Sequence, residues 1–243
     1  MNIAENYKLL KWDSNYFGFN VASILNDRYD SSSLAAILRD LKRKNYRLIY
    51  WGSDYNDADS QKAAKDNDGF LADKKTIFTR DLIKGEIFSL IEEKEIVEYT
   101  LDYPTNELIN LGYLSGQYSR FNIDKNISKE KFEGLYKLWV INSVNKKIAD
   151  TIYVKYLEGK VAAMMTLQKK TDSGIIGLIA VDRILQGMNI GTALVLKALN
   201  WSKEQGCKNA KVVTQLDNLP ACGLYEKCGY KIDKIESFYH FWI

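Results

Sequence analysis

Six consecutive residues, Gln186-Gly187-Met188-Asn189-Ile190-Gly191, carry the strongest chemical signal in the chain. They stand between an apolar, strand-like run ending at Val181 and a helix-like run from Thr192 to Glu204. A glycine-containing turn that opens a helix points unpaired backbone N–H groups at one spot. The helix dipole adds partial positive charge there, so the turn reads as a phosphate cradle. Glycines at strand-to-helix corners also serve the backbone alone, so the turn by itself keeps that second reading. Other reactive side chains are sparse. The three cysteines, Cys207, Cys222 and Cys228, are odd in number, lack a CxxC pair and have no histidine nearby in sequence. They are expected to be reduced thiols, neither a disulfide framework nor a zinc site nor an activated nucleophile, and no metal is anticipated. His240, the single histidine, falls on an alternating C-terminal segment where a structural role is expected.

Downstream of a second strand-like run, Ala210 to Leu216, lies Asn218-Leu219-Pro220-Ala221-Cys222-Gly223-Leu224-Tyr225-Glu226-Lys227-Cys228-Gly229-Tyr230. Asn218, Ala221, Leu224, Tyr225, Lys227, Gly229 and the aromatic Tyr230 match the pattern Asn-x-x-Ala-x-x-Leu-Tyr-x-Lys-x-Gly-Phe of the GCN5-related N-acetyltransferases (GNAT). The upstream turn keeps that family's Gln186 and Gly191 but puts Asn189 where a middle glycine is usual. Asparagine is among the few residues that tolerate a left-handed backbone, and Gly187 is placed to share that duty. Three short stretches are similar to the dTDP-fucosamine (dTDP-4-amino-4,6-dideoxygalactose) acetyltransferase branch: Leu10 to Gly18, Ser119-Arg120-Phe121 and Tyr239-His240-Phe241-Trp242.

The resemblance implies an acetyl-CoA site. Gln186, Gly187, Met188, Asn189, Ile190, Gly191 and Thr192 would hold the pyrophosphate. The backbone of Leu178, Ile179, Ala180 and Val181 would carry the pantetheine arm as an added strand and offer an N–H to the thioester oxygen. Tyr225 would protonate the departing sulfur. Asn218 would contact the coenzyme, fix the following turn as a helix N-cap, or do both. For the acceptor, Arg120 reads either as a guanidinium fork on a diphosphate or as a solvated surface arginine. Asp13, Ser14, Tyr16 and Phe17 read either as pocket lining or, at Phe17-Gly18, as a packed turn. The expected activity is direct acetyl transfer to the amine of a nucleotide-linked deoxy-amino sugar. Two alternatives stay open: a GNAT enzyme for another small amine, amino acid or peptide terminus, and a non-catalytic acetyl-CoA-binding module.

Positioning these groups requires a particular order of elements. The resemblance implies a first strand near Glu95 to Thr100, and apolar periodicity then places helices at Thr105 to Leu114 and Ser128 to Lys146, the second turning Phe132, Leu135, Leu138, Trp139 and Ile141 inward. Strands follow at Asp150 to Glu158, Val161 to Lys169 and Ile175 to Val181, with turns at Gly159-Lys160 and Asp172-Ser173-Gly174, the last strand reading as buried on both faces. A helix over Ile190 to Gln205, the strand Ala210 to Leu216, a helix over Pro220 to Lys227 and a strand over Lys231 to Ile243 complete the order. In the first part, strands are read at Val21 to Leu25, Leu48 to Trp51 and Thr76 to Leu82, and a serine-capped helix at Ser33 to Asn45. The resulting expectation is an α/β (α+β) protein with the mixed, helix-flanked sheet of the GNAT fold over residues 93–243. A small α/β domain over 1–92 would help bind the acceptor.

Composition narrows the class further. A 46% hydrophobic and 27% charged chain of 243 residues is globular rather than disordered. The net charge of +3 comes from interspersed lysines, arginines and carboxylates, which does not point to nucleic acid. No apolar run reaches the ~18 residues of a membrane span, and Met1 to Asn6 lacks a basic start followed by an apolar stretch. A cytoplasmic protein with a small-molecule partner, able to pair as a homodimer, is therefore expected.

Overall fold

The computed structural model describes residues 6–83, 86, 88 and 96–243. In chain order the first elements are β1 (Tyr7–Leu9), α1 (Lys11–Phe17), β2 (Asn20–Ile24), α2 (Ser31–Arg43), β3 (Tyr46–Asp54), α3 (Ala58–Asp66) and β4 (Phe70–Asp81). Next come β5 (Ile96–Glu98), α4 (Asn106–Ser115), α5 (Arg120–Ile123), α6 (Lys129–Val144), β6 (Thr151–Leu157), β7 (Lys160–Lys170) and β8 (Ser173–Val181). A 3-10 turn (Arg183–Leu185), α7 (Ile190–Glu204), β9 (Asn209–Gln215), α8 (Leu219–Lys227) and β10 (Lys231–Trp242) close the chain. The division expected between residues 92 and 93, and Glu95 of the strand beside it, fall outside the described residues. The chain forms two compact units. One comprises Met1–Thr76, Ser119–Asp124 and Ile235–Ile243, the other Ile77–Tyr118 and Lys125–Lys234.

The first unit is a mixed sheet in the order β1-β2-β3-β10-β4, with β2 and β3 parallel and β3 antiparallel to β10. Period two decides which side chains face which layer. Ile49 and Trp51 of β3 with Tyr239 and Phe241 of β10 pack against Leu34, Ile37, Leu38 and Leu41 of α2 and Ala63 and Ala64 of α3. Burying each such aliphatic side chain is worth roughly 1.5–3 kcal/mol. The alternate residues, Tyr50 and its cross-strand partner His240, point to the opposite face. Helix α2 is capped by Asp30, not by its serines: Asp30 accepts from the Ser33 N–H at 2.8 Å and from the Ser32 hydroxyl at 2.6 Å. These bonds, the Ser32 hydroxyl first, hold the carboxyl well below the usual range, because each donor stabilises the charged carboxylate over the neutral acid. The sequence reading missed α1, α3, the one-turn α5 and the three-residue β1. The first two lack a strong apolar stripe, since α1 buries no residue and α3 buries only Ser60, Ala63 and Ala64.

The second unit is a mixed sheet in the order β4-β9-β8-β7-β6-β5, with β5, β6, β7 and β8 successively antiparallel and β8 parallel to β9. Helices cover both faces. Met164 of β7 meets Leu108 and Leu111 of α4 and Val140 of α6, whereas its neighbours Ala163 and Met165 meet Leu194, Ala198 and Leu199 of α7. The inward stripe of α6 is Phe132, Leu135, Tyr136, Val140 and Ser143, while Leu138, Trp139 and Ile141 are only half-buried. The i, i+4 row from Phe132 through Tyr136 to Val140 outweighs the apolar residues of the neighbouring row. Both hairpin turns sit one residue or more before their expected places. Glu158-Gly159 and Thr171-Asp172 make them, with positive φ at Glu158, Gly159 and Thr171, so Lys160, Ser173 and Gly174 already belong to strands. Strand β8 is buried at Gly174, Ile176 and Ala180 but exposed at Gly177, which corrects its reading as buried on both faces. Among the described residues no helix is long and apolar enough to cross a membrane.

Candidate active site

The site begins with an irregularity in β8. Met165 opposes Ile179 and Leu167 opposes Ile176, so one residue of β7 faces two of β8 and the strand bulges at Gly177-Leu178. The bulge has a local cause. Thr166 Oγ1 takes the Leu178 N–H at 2.8 Å, and a Cβ on residue 177 would lie 2.8 Å from that oxygen, so any residue but glycine there would have to push Thr166 aside. Past the bulge, the parallel ladder of Ser173–Ile176 with Asn209–Val212 ends and β8 and β9 no longer pair. The backbone edge of Ile179–Val181 is thereby turned into a cleft of about 540 Å³.

The N-terminus of α7 faces the same cleft. Asn189 is its N-cap residue, with φ 59° and ψ 6°, and Gly187 has φ 80°. Both thus occupy the left-handed region, where asparagine and glycine are the residue types least penalised. A residue in that conformation cannot aim its side chain back at the first turn, as an N-cap in the extended region does, and Asn189 makes no capping bond. The first-turn N–H groups of Ile190, Gly191 and Thr192 have no carbonyl four residues back inside the helix, which leaves them as donors toward the cleft. Gln186 spans the loop by donating from Nε2 to the Val181 carbonyl at 3.0 Å.

The third wall is α8. Asn218 caps it, accepting from the Ala221 N–H at 3.3 Å while donating to Thr214 Oγ1 at 3.5 Å, and it also lines the cleft. Tyr225 reaches the cleft although its side chain is only 2% exposed. Phe78 and Tyr230 pack on its ring at 5.6 and 5.9 Å between centroids. Burial pushes the phenol well above its ordinary range, helped by Cys222 and Cys228, so it remains a proton donor at neutral pH. All three thiols are free and buried, and burial raises each of them, which keeps them protonated and poorly nucleophilic.

Of the residues singled out for a coenzyme, Ile179, Ala180, Val181, Gln186, Gly187, Asn189, Ile190, Gly191, Thr192, Asn218 and Tyr225 share this cleft. Leu178 does not; it packs with the α4/α6 core. Met188 is 57% exposed and outside the lining. The cleft also takes in Leu114 and Ser115 from the end of α4 and Gln117 and Tyr118 from the turn after it, a contribution no spacing in the sequence announced. The residues singled out for an acceptor lie in the first unit. Arg120 is not a solvated arginine: its guanidinium is boxed by the rings of Tyr50, Phe121 and Phe238 at 4.4–4.9 Å. Half-buried Asp13 feels that charge, although burial dominates and raises its carboxyl. Ser14 is occupied locally, donating to the Leu10 carbonyl at 2.8 Å and accepting from the Val21 N–H at 2.9 Å. Tyr16 stacks on Trp12, and Phe17 stacks on Phe19 and Phe121, making a packed turn ahead of left-handed Gly18. His240 is fully buried, its Nδ1 2.7 Å from Asp124, which also accepts from Trp242 Nε1 at 2.8 Å. Among the described residues no cluster of three metal-ligating side chains occurs.

Residues 121–230 match the model of the acetyltransferase (GNAT) family. The chain is similar to the spore coat polysaccharide biosynthesis protein SpsD of Bacillus subtilis, 26% identical over 138 residues, which are 57% of this chain and 47% of that protein. It is also similar to a streptothricin acetyltransferase of Escherichia coli, 32% identical over 60 residues, covering 25% of this chain and 34% of that one. The chain thus spans less than half the length of either relative. In fold it resembles a GCN5-related N-acetyltransferase from Sphaerobacter thermophilus, with a TM-score of 0.65 at 11% identity over 97% of this chain and 76% of that one. The splayed β8 and β9 and the helix-opening turn between them lie within the stretch that matches the acetyltransferase (GNAT) family model.

Proposed function

We propose that the protein is an acetyl-CoA-dependent N-acetyltransferase that acts on the amine of a nucleotide-linked deoxy-amino sugar. The observation that carries this reading is the cleft itself, where a free strand edge, an uncapped helix N-terminus and a buried, protonated phenol come together. These groups suit the three parts of a thioester coenzyme: an extended arm with amides, a polyphosphate and a sulfur leaving group. In the reaction the neutral amine attacks the thioester carbonyl, forming the C–N bond. A backbone N–H of Ile179–Val181 stabilises the oxyanion, and the C–S bond then breaks as Tyr225 gives its proton to the sulfur. The surplus amine proton leaves through water, after which the phenol is reprotonated from solvent.

The sugar part of the proposal rests on the resemblance of Leu10 to Gly18, Arg120 and the C-terminal strand to the dTDP-fucosamine branch, and on the similarity to a polysaccharide biosynthesis protein. We assign acceptor recognition to the first unit, with Arg120, held rigid by three rings and charge-coupled to Asp13, as the group for an acidic part of the substrate. The relative named for streptothricin favours a second reading, an amine acceptor of another kind. A panel of nucleotide amino sugars, polyamines and peptides incubated with acetyl-CoA, followed by free thiol and product mass, separates the two. Turnover of dTDP-amino sugars alone supports the first reading. Turnover confined to the other amines overturns it, and coenzyme binding without turnover of any amine would make the protein a non-catalytic binding module.

A further inference from the structure

Lys227 stands in the last turn of α8, where its charge suits that helix's own negative end. Its ammonium also reaches across to α7, donating to Asn189 Oδ1 at 3.2 Å. That second contact is electrostatically unusual. Asn189 is the N-cap residue of α7, so the ammonium is held beside the positive end of a helix dipole, a place that disfavours a cation unless an anion lies between them. The side chain of Asn189 is free for this task because its left-handed backbone removes it from capping duty. A glycine at position 189 would meet the same backbone demand but could not hold the lysine. An ammonium has three donors, and one bond to Asn189 leaves two.

Resting on the coenzyme reading above, we propose that Asn189 and Lys227 act as a pair, with Asn189 fixing the lysine so that its remaining donors grip a phosphate of the coenzyme next to the first turn of α7. The pair replaces a purely backbone cradle with one that carries a full, pre-positioned charge. Both members are on the surface of the second unit, so their substitution leaves its core intact.

The test is calorimetric titration of coenzyme A, dephospho-coenzyme A and pantetheine into the wild type, Lys227→Met and Asn189→Gly. Lys227→Met should weaken coenzyme A roughly tenfold, the size of one charge-assisted hydrogen bond, and leave phosphate-free pantetheine unaffected. An equal loss for dephospho-coenzyme A assigns the contact to the diphosphate; a loss limited to coenzyme A assigns it to the 3′-phosphate. Asn189→Gly should also weaken coenzyme A several-fold even though it relaxes the backbone. Equal affinity of wild type and Lys227→Met for coenzyme A overturns the lysine's role, and unchanged or tighter binding by Asn189→Gly overturns the asparagine's. Lys227→Gln, uncharged but polar, must behave like Lys227→Met, because a wild-type affinity there would mean the charge is not what matters. Failure of the wild type to bind coenzyme A at all would instead bring down the coenzyme reading itself.

Discussion

Two side chains in this protein are defined by what burial does to their protons. Tyr225 is enclosed by Phe78 and Tyr230, and its raised pKa means that the acid form persists past the ordinary phenol value of about 10. Tyr225→Phe keeps the packing and removes only the proton. It should lower kcat by roughly 10²- to 10⁴-fold, with the dissociation constant of acetyl-CoA little changed, as read by steady-state kinetics beside calorimetry. An unaltered kcat would remove Tyr225 from the chemistry. His240 responds in the opposite sense, because burial outweighs its bond to Asp124 and lowers its pKa. The unfolded chain therefore takes up this proton first as the pH falls. The stability contributed by the neutral ring is complete above about 6.5 and is lost as the pH drops from there toward the depressed folded value. Since the chain has one histidine, an NMR titration of its imidazole reads that value without mutagenesis. Asp124 holds both the buried His240 and the half-buried Trp242, so Asp124→Ala removes the acceptor of both and should cost about 3 kcal/mol in urea unfolding.

At the scale of elements, the bulge in β8 does the most to shape the cleft. It exists because the Leu178 N–H bonds to a side-chain oxygen, Thr166 Oγ1, instead of a strand carbonyl, and because residue 177 has no Cβ to collide with that oxygen. Gly177→Ala should therefore either displace Thr166 or flatten the bulge. The expected cost is about 1–3 kcal/mol of stability together with weaker acetyl-CoA binding, measured by denaturant unfolding and calorimetry on the same variant. A variant of full stability and affinity would show that the bulge tolerates a methyl group and does not set the cleft. Helix α7 is placed by a similarly close contact. A Cβ on Gly174 would sit 1.9 Å from Ser202 Oγ, so the helix lies directly on the strand and its first turn is carried to the mouth of the cleft.

For the whole molecule, a ligand that binds only the folded state stabilises it by mass action. Acetyl-CoA at 100 times its dissociation constant should add about 2.7 kcal/mol, or roughly 5–10 °C in melting temperature for a chain of this size, and a thermal scan with and without the coenzyme checks it. The sequence by itself determined the elements from α4 to β10 apart from the one-turn α5, the helix-opening turn Gln186 to Gly191, and the Asn218 to Tyr230 segment that resembles the GNAT pattern, because these are local signals written in glycines, caps and apolar periods. It also limited the backbone at Asn189 to residue types that accept a left-handed turn, which is where that residue sits. It did not reveal that the end of α4 reaches the cleft, that Leu178 turns away from it, that Arg120 is boxed by three rings, or that Lys227 meets Asn189. Nor did it reveal which row of α6 faces inward. Each of these depends on where two elements distant in sequence come to rest, and residue spacing along one strand or helix holds no information about the neighbour packed across from it.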